Sequence, residues 1–286
     1  MIPLRCPVCS LPLSQQERSW RCETGHTFDI SREGYINLLL VQQKKTREPG
    51  DNPEMVQARR DFLDAGFYAP LRASALGLLR PLQAESLLDI GAGEGYYTSA
   101  FSETSKEVIG LDIAKPAIQI AAKKFRNITW LVGSAAALPV ADASVDVVCS
   151  FFSPLPVAEM QRVLKPGGYL LLATPAPRHL WRLRQALFDE VKRHTPDKFL
   201  DELSPAFELV ERLDIRYPLD LPNHEQLRNL LLMTPYYWRA RNERREQLLA
   251  LDSFTDEAQF SLMLLQRQDV DPAPSELMPA PETLPD

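Results

Sequence analysis

Several features that define whole classes of protein are scarce or missing in this 286-residue sequence. Because there are only four cysteines, we expect free thiolates or a metal site rather than a disulfide framework. No apolar run approaches the ~18 residues that a membrane-spanning helix needs. The N-terminal residues contain no apolar signal core, so we expect a cytoplasmic protein without a membrane partner. The 45% hydrophobic and 24% charged content is that of a globular protein, which excludes wholesale disorder.

An excess of positive charge is also missing, since the net charge is −6. This balance argues against a protein that coats nucleic acid by bulk charge. The acidity is concentrated at the end of the chain, where residues 269–286 hold five acidic residues, five prolines and no basic residue. We expect a disordered tail there. Residues 1–50, by contrast, carry seven basic and five acidic residues.

Three of the four cysteines are clustered near the start of the chain. Cys6 and Cys9 form a Cys-x2-Cys pair, and Cys22 and His26 form a second knuckle after twelve intervening residues. Three thiolates and one imidazole suit a tetrahedral, structural Zn²⁺, whereas a lone Cys-x2-Cys pair would also suit a redox function. Residues 1–35 are too few to bury a core, so we expect a small zinc-binding domain that folds only with its metal. Replacing Cys22 with serine is then expected to release the metal and unfold residues 1–35, while ligand binding by the rest of the chain stays largely intact.

The rest of the chain is predicted to be α/β. Residues 36–85 are typical of a polar linker followed by leading helices, with a helix start at Asn52 and Pro53. From 86 to 268, short apolar runs alternate with helical patterns, which indicates a parallel sheet with crossover helices. The apolar runs are 86–90, 107–112, 128–132, 145–152 and 168–174, and 207–219 and 257–268 are expected to form a terminal antiparallel pair.

Three of the twelve glycines fall within five positions, at Gly91, Gly93 and Gly95, directly after the first apolar run. Glycines permit positive φ and a close approach of a ligand to the backbone, and Asp112 ends the next run, where it can accept two ribose hydroxyls. The GxGxG spacing favours S-adenosylmethionine (SAM) over a dinucleotide, which prefers GxGxxG. A tight turn without any ligand is the alternative. Asp89 either fixes the loop or reaches the cationic methionine end of the ligand.

Two later segments extend this pattern, LPVADASVDVV at 138–148 and VLKPGGY at 163–169. Together with LLDIGAGEGYY they resemble the class I SAM-dependent methyltransferases, over about residues 86–174. The resemblance implies a Rossmann-like sheet with a SAM pocket at one edge. The residues that it assigns to the pocket are Gly91, Gly93, Glu94, Gly95, Asp112, Ser134 and Ala135.

Five segments together resemble one bacterial family, the 23S rRNA (guanine-N1)-methyltransferases of the RlmA/RrmA type. They are the cysteine-rich stretch with HTFDISREGYINLL, then REPGDNPEMVQARRDFLDAGFYAPL, LLDIGAGEGYYT, ATPAPRHL and LLLMTPYYWRA, and the match covers about residues 4–268. The resemblance implies a zinc domain joined to a methyltransferase domain, a homodimer, and a 23S rRNA hairpin loop as substrate. It also implies that Tyr68 and His179 contact SAM.

The sequence does not identify a base for the proton on guanine N1, so the catalytic residue stays unknown. Phe151 and Phe152 are candidates for stacking on the guanine, with a core role as the alternative. Two rival functions are a methyltransferase for a small molecule, which the zinc domain argues against, and a non-catalytic RNA-binding protein, which the intact glycine loop argues against. Candidate RNA contacts are Arg18, Arg21, Arg32, Lys44, Lys45, Arg47, Arg59, Arg60, Arg178, Arg182 and Arg184.

Overall fold

The computed structural model describes residues 1–44 and 46–268, so Lys45 and the tail predicted to be disordered, 269–286, lie outside the described residues. The cysteine-rich part contains a three-stranded antiparallel sheet in the order β1-β2-β3. Its strands are β1 (Ser14–Gln16), β2 (Ser19–Arg21) and β3 (Thr27–Asp29). With three residues in each strand, this sheet cannot supply a core of its own.

A short strand and two helices lead into the main domain. The strand β4 (Ile36–Asn37) pairs in parallel with the edge of the main sheet. The helix α1 (Pro53–Asp64) begins as predicted, because the Asn52 side chain accepts the Met55 N–H at 2.9 Å and Pro53 takes the first helical position. The helix α2 (Ala69–Leu79) follows, and both helices bury an apolar stripe.

The predicted alternation of strands and helices is confirmed in the main sheet. Its parallel part consists of β5 (Ser86–Ile90), α3 (Tyr96–Phe101), β6 (Glu107–Asp112), α4 (Lys115–Lys124), β7 (Thr129–Val132), β8 (Val145–Phe151), α5 (Val157–Val163) and β9 (Leu164–Pro175). The sheet has eight strands among the described residues, and their order is β10-β11-β9-β8-β5-β6-β7-β4. The order of the parallel strands reverses at β5, which has β6 on one side and β8 on the other. Ligands of such sheets bind in the crevice outside the carboxyl ends of the strands at this point.

The C-terminal part adds the expected antiparallel pair. Its elements are α6 (Trp181–Leu187), α7 (Lys198–Leu203), β10 (Phe207–Leu221), α8 (His224–Leu232), α9 (Tyr236–Arg239), α10 (Asn242–Leu249) and β11 (Phe254–Arg267). β11 runs antiparallel between β9 and β10. None of the helices in the described part of the chain has the length and apolar composition of a membrane span.

The cysteine-rich part shares its core with the main sheet. Leu4 forms a backbone bridge with Val140, and Leu4 and Trp20 belong to the same buried apolar cluster as Leu131 and Val140. The predicted limit of the zinc-binding domain, 1–35, therefore falls inside a continuous core. The domain limits stay predictions, although the packing shows that the two parts are not independent bodies.

Candidate functional site

The glycine loop joins the carboxyl end of β5 to the start of α3. Gly91, Gly93 and Gly95 adopt φ values of +77°, +58° and +90°, a region that residues with a side chain rarely enter. A Cβ atom at Gly91 would lie 2.5 Å from the Cβ of Ser153, so the loop also needs glycine to pass the segment that follows β8. The sequence pattern therefore has a steric cause at this position.

Asp112 ends β6 and holds the glycine loop directly. One carboxylate oxygen accepts the Gly93 N–H at 2.8 Å, and the other accepts the Ala114 N–H at 2.7 Å. Burial raises the pKa of Asp112, and these two amide donors act in the opposite direction. Each oxygen keeps a second lone pair, so the carboxylate that supports the loop can also accept ligand hydroxyls. Ser134 and Ala135 follow β7, where the Ser134 hydroxyl caps a short 3-10 turn.

Asp89 is buried one residue before the end of β5. Its carboxylate accepts the Thr98 hydroxyl at 2.5 Å, which ties β5 to α3 across the glycine loop. Burial raises the pKa of Asp89 to about 7. Of the two roles that the sequence left open, this geometry favours fixing the loop.

Arg59 in α1 lies beside the glycine loop, a position that sequence reasoning missed by grouping it with the RNA contacts. Its guanidinium forms an ion pair with Asp51 and donates to the Met233 carbonyl at 3.3 Å. Its charge also acts on Glu94 and Asp112, two carboxyl groups whose pKa is raised by burial. Arg59 thus partly offsets the negative charge around the loop. The local sequence gives no signal for this role, because the carboxylates belong to separate segments.

The two remaining predicted SAM contacts lie side by side. Tyr68 and His179 are both buried, their rings are 6.3 Å apart, and each packs against Phe260. Burial lowers the pKa of His179 to about 3, so its ring is neutral near pH 7. The Gln259 N–H donates to Nδ1 at 3.1 Å, which leaves the hydrogen on Nε2 as a donor. The Tyr68 ring also packs against Phe62 at 5.1 Å, a residue of α1, the helix that carries Arg59.

The two aromatic residues predicted to stack on the guanine lie at the end of β8 and differ in exposure. Phe151 is buried against Tyr97 at 4.7 Å and is a core residue. Phe152 has a positive φ of +56° and is 45% exposed, so its ring is accessible to a ligand. The Ser153 hydroxyl donates to the Ile90 carbonyl at 2.9 Å, which fixes this segment against the glycine loop.

The four predicted metal ligands lie within 4.8 Å of one another. The Cys9 and Cys22 sulfurs are 3.7 Å apart, and His26 Nδ1 lies 3.6 Å from the Cys6 sulfur and 3.4 Å from the Cys22 sulfur. A tetrahedral Zn²⁺ with bonds of ~2.3 Å to sulfur and ~2.05 Å to nitrogen requires S···S and S···N separations of about 3.8 and 3.6 Å. The donor set and the spacing therefore both fit zinc.

Thr24 is a further residue of this cluster that the sequence reasoning missed. Its hydroxyl lies 3.0 Å from the Cys22 sulfur, 3.2 Å from the Cys9 sulfur and 3.1 Å from His26 Nδ1. Burial raises the pKa of the Cys22 thiol, but the contacts with Thr24 and the His26 backbone outweigh burial and bring it to about 6. In the sequence, Thr24 is the middle residue between the two metal ligands Cys22 and His26. A hydroxyl side chain at that position is the signal that would have identified Thr24.

The cations that the sequence suggested for RNA contact differ in accessibility. Arg184 is buried and donates to the backbone carbonyls of His179 and Lys192, so it has a structural role. Arg59 is engaged at the glycine loop, as described above. Those that are exposed are Arg18, Arg21, Arg32, Lys44, Arg47, Arg178 and Arg182.

Comparison with known proteins agrees with this division of the chain. Residues 4–47 match the family model described as "RlmA, N-terminal", and residues 88–172 match the model described as "Methyltransferase domain". The crystal structure of YcgJ from Bacillus subtilis superposes with a TM-score of 0.51 at 20% identity, covering 69% of this chain and all of that chain, which shows the fold alone.

Two curated relatives match most of the chain. The 23S rRNA (guanine(748)-N(1))-methyltransferase of Streptomyces fradiae is 36% identical over 82% of this chain and 85% of its own length. YxjB of Bacillus subtilis, assigned as a 23S rRNA (guanine-N1)-methyltransferase, is 33% identical over 87% of this chain and 92% of its own length. Both matches extend well beyond the common methyltransferase domain. With its zinc ribbon and its SAM-dependent methyltransferase fold, the chain belongs to the 23S rRNA (guanine-N1)-methyltransferase family.

Proposed function

We propose that this protein transfers the methyl group of SAM to N1 of a guanine in a hairpin loop of 23S rRNA. The observation that carries the proposal is the likeness to the Streptomyces and Bacillus relatives over more than four fifths of the chain, together with the match of residues 4–47 to the model described as "RlmA, N-terminal". A methyltransferase for a small molecule has no need of a ribbon built into the edge of its sheet. We further propose that the protein acts in the cytoplasm as a homodimer that binds the RNA between its two copies.

In this proposal the glycine loop and the residues facing it hold SAM, whose sulfonium supplies an electrophilic methyl group. Asp112 accepts the ribose hydroxyls with the lone pairs that Gly93 and Ala114 leave unused. The Nε2–H of His179 donates to the ligand, while Tyr68 packs against the same face. Gly91, Glu94 and Gly95 complete the binding loop. Cys6, Cys9, Cys22 and His26 hold zinc, which stabilises the ribbon and takes no part in the reaction.

The guanine must present N1 to the methyl group and lose the proton that N1 carries at neutral pH. Phe152 is the exposed ring at the carboxyl edge of the sheet, and we assign it to stacking on the extruded base. The segment 152–156 that carries this ring has no ionisable side chain. The proposal therefore names no general base, and leaves the proton to water, a backbone carbonyl or a carboxylate outside this segment.

The test is methylation of unmodified 23S rRNA, transcribed in vitro, with SAM carrying a labelled methyl group. We expect one labelled guanine per RNA molecule, and because N1 methylation blocks base pairing, primer extension should stop beside it. A panel of small metabolites is the matched control. Label in a metabolite and none in the RNA would contradict the proposal. Sedimentation of the protein with and without RNA tests the homodimer separately.

A further inference from the structure

One part of the surface has a charge opposite to that of the whole chain. The segments 178–193 and 236–246 together hold nine basic and four acidic residues, and without the buried Arg184 their charge is +4, whereas the full chain carries −6. The two segments form one surface, because Arg244 of α10 forms an ion pair of 2.9 Å with Asp189, which follows α6. We call these two segments the aromatic-basic surface.

Aromatic rings alternate with these cations. Trp238 is 53% exposed, which is unusual for so large an apolar side chain, and its ring lies 4.9 Å from that of Tyr237. The guanidinium of Arg245 lies over the Tyr237 ring at 4.5 Å, and that of Arg178 lies over the Trp181 ring at 5.4 Å. Arg239 and Arg241, which follow the exposed tryptophan, are themselves exposed. Flat rings bordered by guanidinium groups are what unpaired nucleotides recognise: bases stack on the rings, and phosphates meet the cations.

The aromatic-basic surface begins at the rim of the proposed SAM pocket. The Tyr236 hydroxyl lies 3.1 Å from the ring Nε2 of His194, and the backbone N–H of His194 donates to the carbonyl of Pro177, two residues before His179. Met233, three residues before the second segment, accepts a hydrogen bond of 3.3 Å from Arg59 through its carbonyl oxygen. A nucleotide chain with one base at the pocket can therefore continue directly onto this surface.

We infer that the aromatic-basic surface binds single-stranded nucleotides of the substrate RNA next to the target guanine, with Trp238 as the stacking platform. The inference rests on the proposed function and adds a binding site for its substrate. The charge of the surface favours a polyanion as its occupant. A second copy of this chain is the competing occupant, and an apolar patch without flanking cations would suit it better.

The experiment uses the full chain with unmodified 23S rRNA, and it compares Trp238→Ala, Trp238→Phe and the double variant Arg239→Gln/Arg241→Gln. Arg126→Gln, an exposed arginine after α4, is the matched control. We expect Trp238→Ala to raise the KM for RNA by about ten-fold or more, in line with the stacking of one base on an aromatic ring. Trp238→Phe should restore most of this loss. SAM affinity should not change in any variant.

Direct RNA binding across a salt series gives a second readout. The double arginine variant should flatten the log–log salt dependence by about 0.7–0.9 for each lost phosphate contact, and Arg126→Gln should leave the slope unchanged. Unchanged RNA affinity and slope in Trp238→Ala and in the double variant would overturn the inference. A change of oligomeric state in these variants at constant RNA affinity would also overturn it, in favour of a second copy as the occupant. If the wild-type protein binds this RNA through Trp238 but does not methylate it, the proposed function is wrong, whereas the inference that the aromatic-basic surface binds RNA is confirmed.

Discussion

Replacing Asp112 with alanine is expected to weaken SAM binding by about 1.5–3 kcal/mol, the usual contribution of a hydrogen bond to a charged group. This corresponds to a dissociation constant that rises about 13- to 160-fold. The structure divides this effect into two parts. Asp112 accepts two backbone amides at 2.8 and 2.7 Å and so shapes the glycine loop, and it has lone pairs left for the ribose. The variant loses both the support of the loop and the contact with the ligand.

Calorimetry with two ligands separates the two parts. Support of the loop benefits SAM and its 2′-deoxy analogue equally, whereas the ribose contact benefits SAM more. The loss caused by Asp112→Ala is therefore expected to be smaller for the deoxy analogue. Asp112→Asn, which keeps the shape and one acceptor oxygen, should lie between wild type and alanine.

Two results would refute parts of this reasoning. Equal losses for both ligands would show that Asp112 holds the loop and does not contact the 2′-hydroxyl. An alanine variant that binds SAM as tightly as wild type would remove Asp112 from the pocket altogether. Circular dichroism on each variant is the control for folding, since the amides of Gly93 and Ala114 lose their acceptor.

Three further predictions concern metal, pH and RNA. Cys22→Ser is expected to release zinc, measured by elemental analysis of protein purified without chelator, and retention of one zinc per chain would contradict the assignment. Burial raises the pKa of Asp89 from 3.8 to about 7, so the folded wild-type protein favours the protonated acid. The free energy of unfolding of the wild type, relative to that of Asp89→Asn, should therefore fall as the pH rises from 3.8 to about 7 and stay level above that pH. The fall is at most about 4 kcal/mol by chemical denaturation, and parallel pH profiles would contradict it. Replacing Lys44, Lys45 and Arg47 with alanine should weaken RNA binding without changing SAM affinity. In RNA-binding measurements across a salt series, the log–log slope should flatten by about 0.7–0.9 for each lost phosphate contact. An unchanged slope and an unchanged RNA affinity would show that these three side chains do not contact the RNA.

The elements that the sequence predicts well are those whose signals are local. The start of α1 is set by Asn52 and Pro53, and the strands at 86–90 and 107–112 are short apolar runs that the sheet buries. By contrast, β4 has only two residues and forms because Ile36 pairs with Leu131, almost a hundred residues later. No propensity or periodicity in a two-residue stretch can indicate such a pairing.

The same distinction holds for the candidate sites. The zinc ligands and the glycine loop have fixed spacings, because one short stretch of backbone has to place several donors around one ligand. The role of Arg59 has no such signature. It depends on the carboxylates of Glu94 and Asp112, which only the packing of α1 against the loop brings close. Its charge alone predicted contact with RNA, whereas in the structure this half-buried side chain is paired with Asp51 beside the glycine loop.

The packing of the ribbon changes one expectation drawn from the sequence, that loss of zinc leaves SAM binding largely intact. Leu4 pairs with Val140, and β4, which leads out of the ribbon, pairs with β7. The main-sheet partners in these contacts, β7 and Val140, lie on either side of Ser134 and Ala135 in the sequence, and the resemblance assigns these two residues to the SAM pocket. Unfolding the ribbon uncovers apolar side chains at this edge of the sheet and removes an edge strand from β7, so the wall of the pocket loses support on one side. Zinc loss is therefore expected to weaken SAM binding measurably. Undiminished SAM affinity in zinc-free Cys22→Ser protein would show that the ribbon and the pocket are energetically independent despite their shared core.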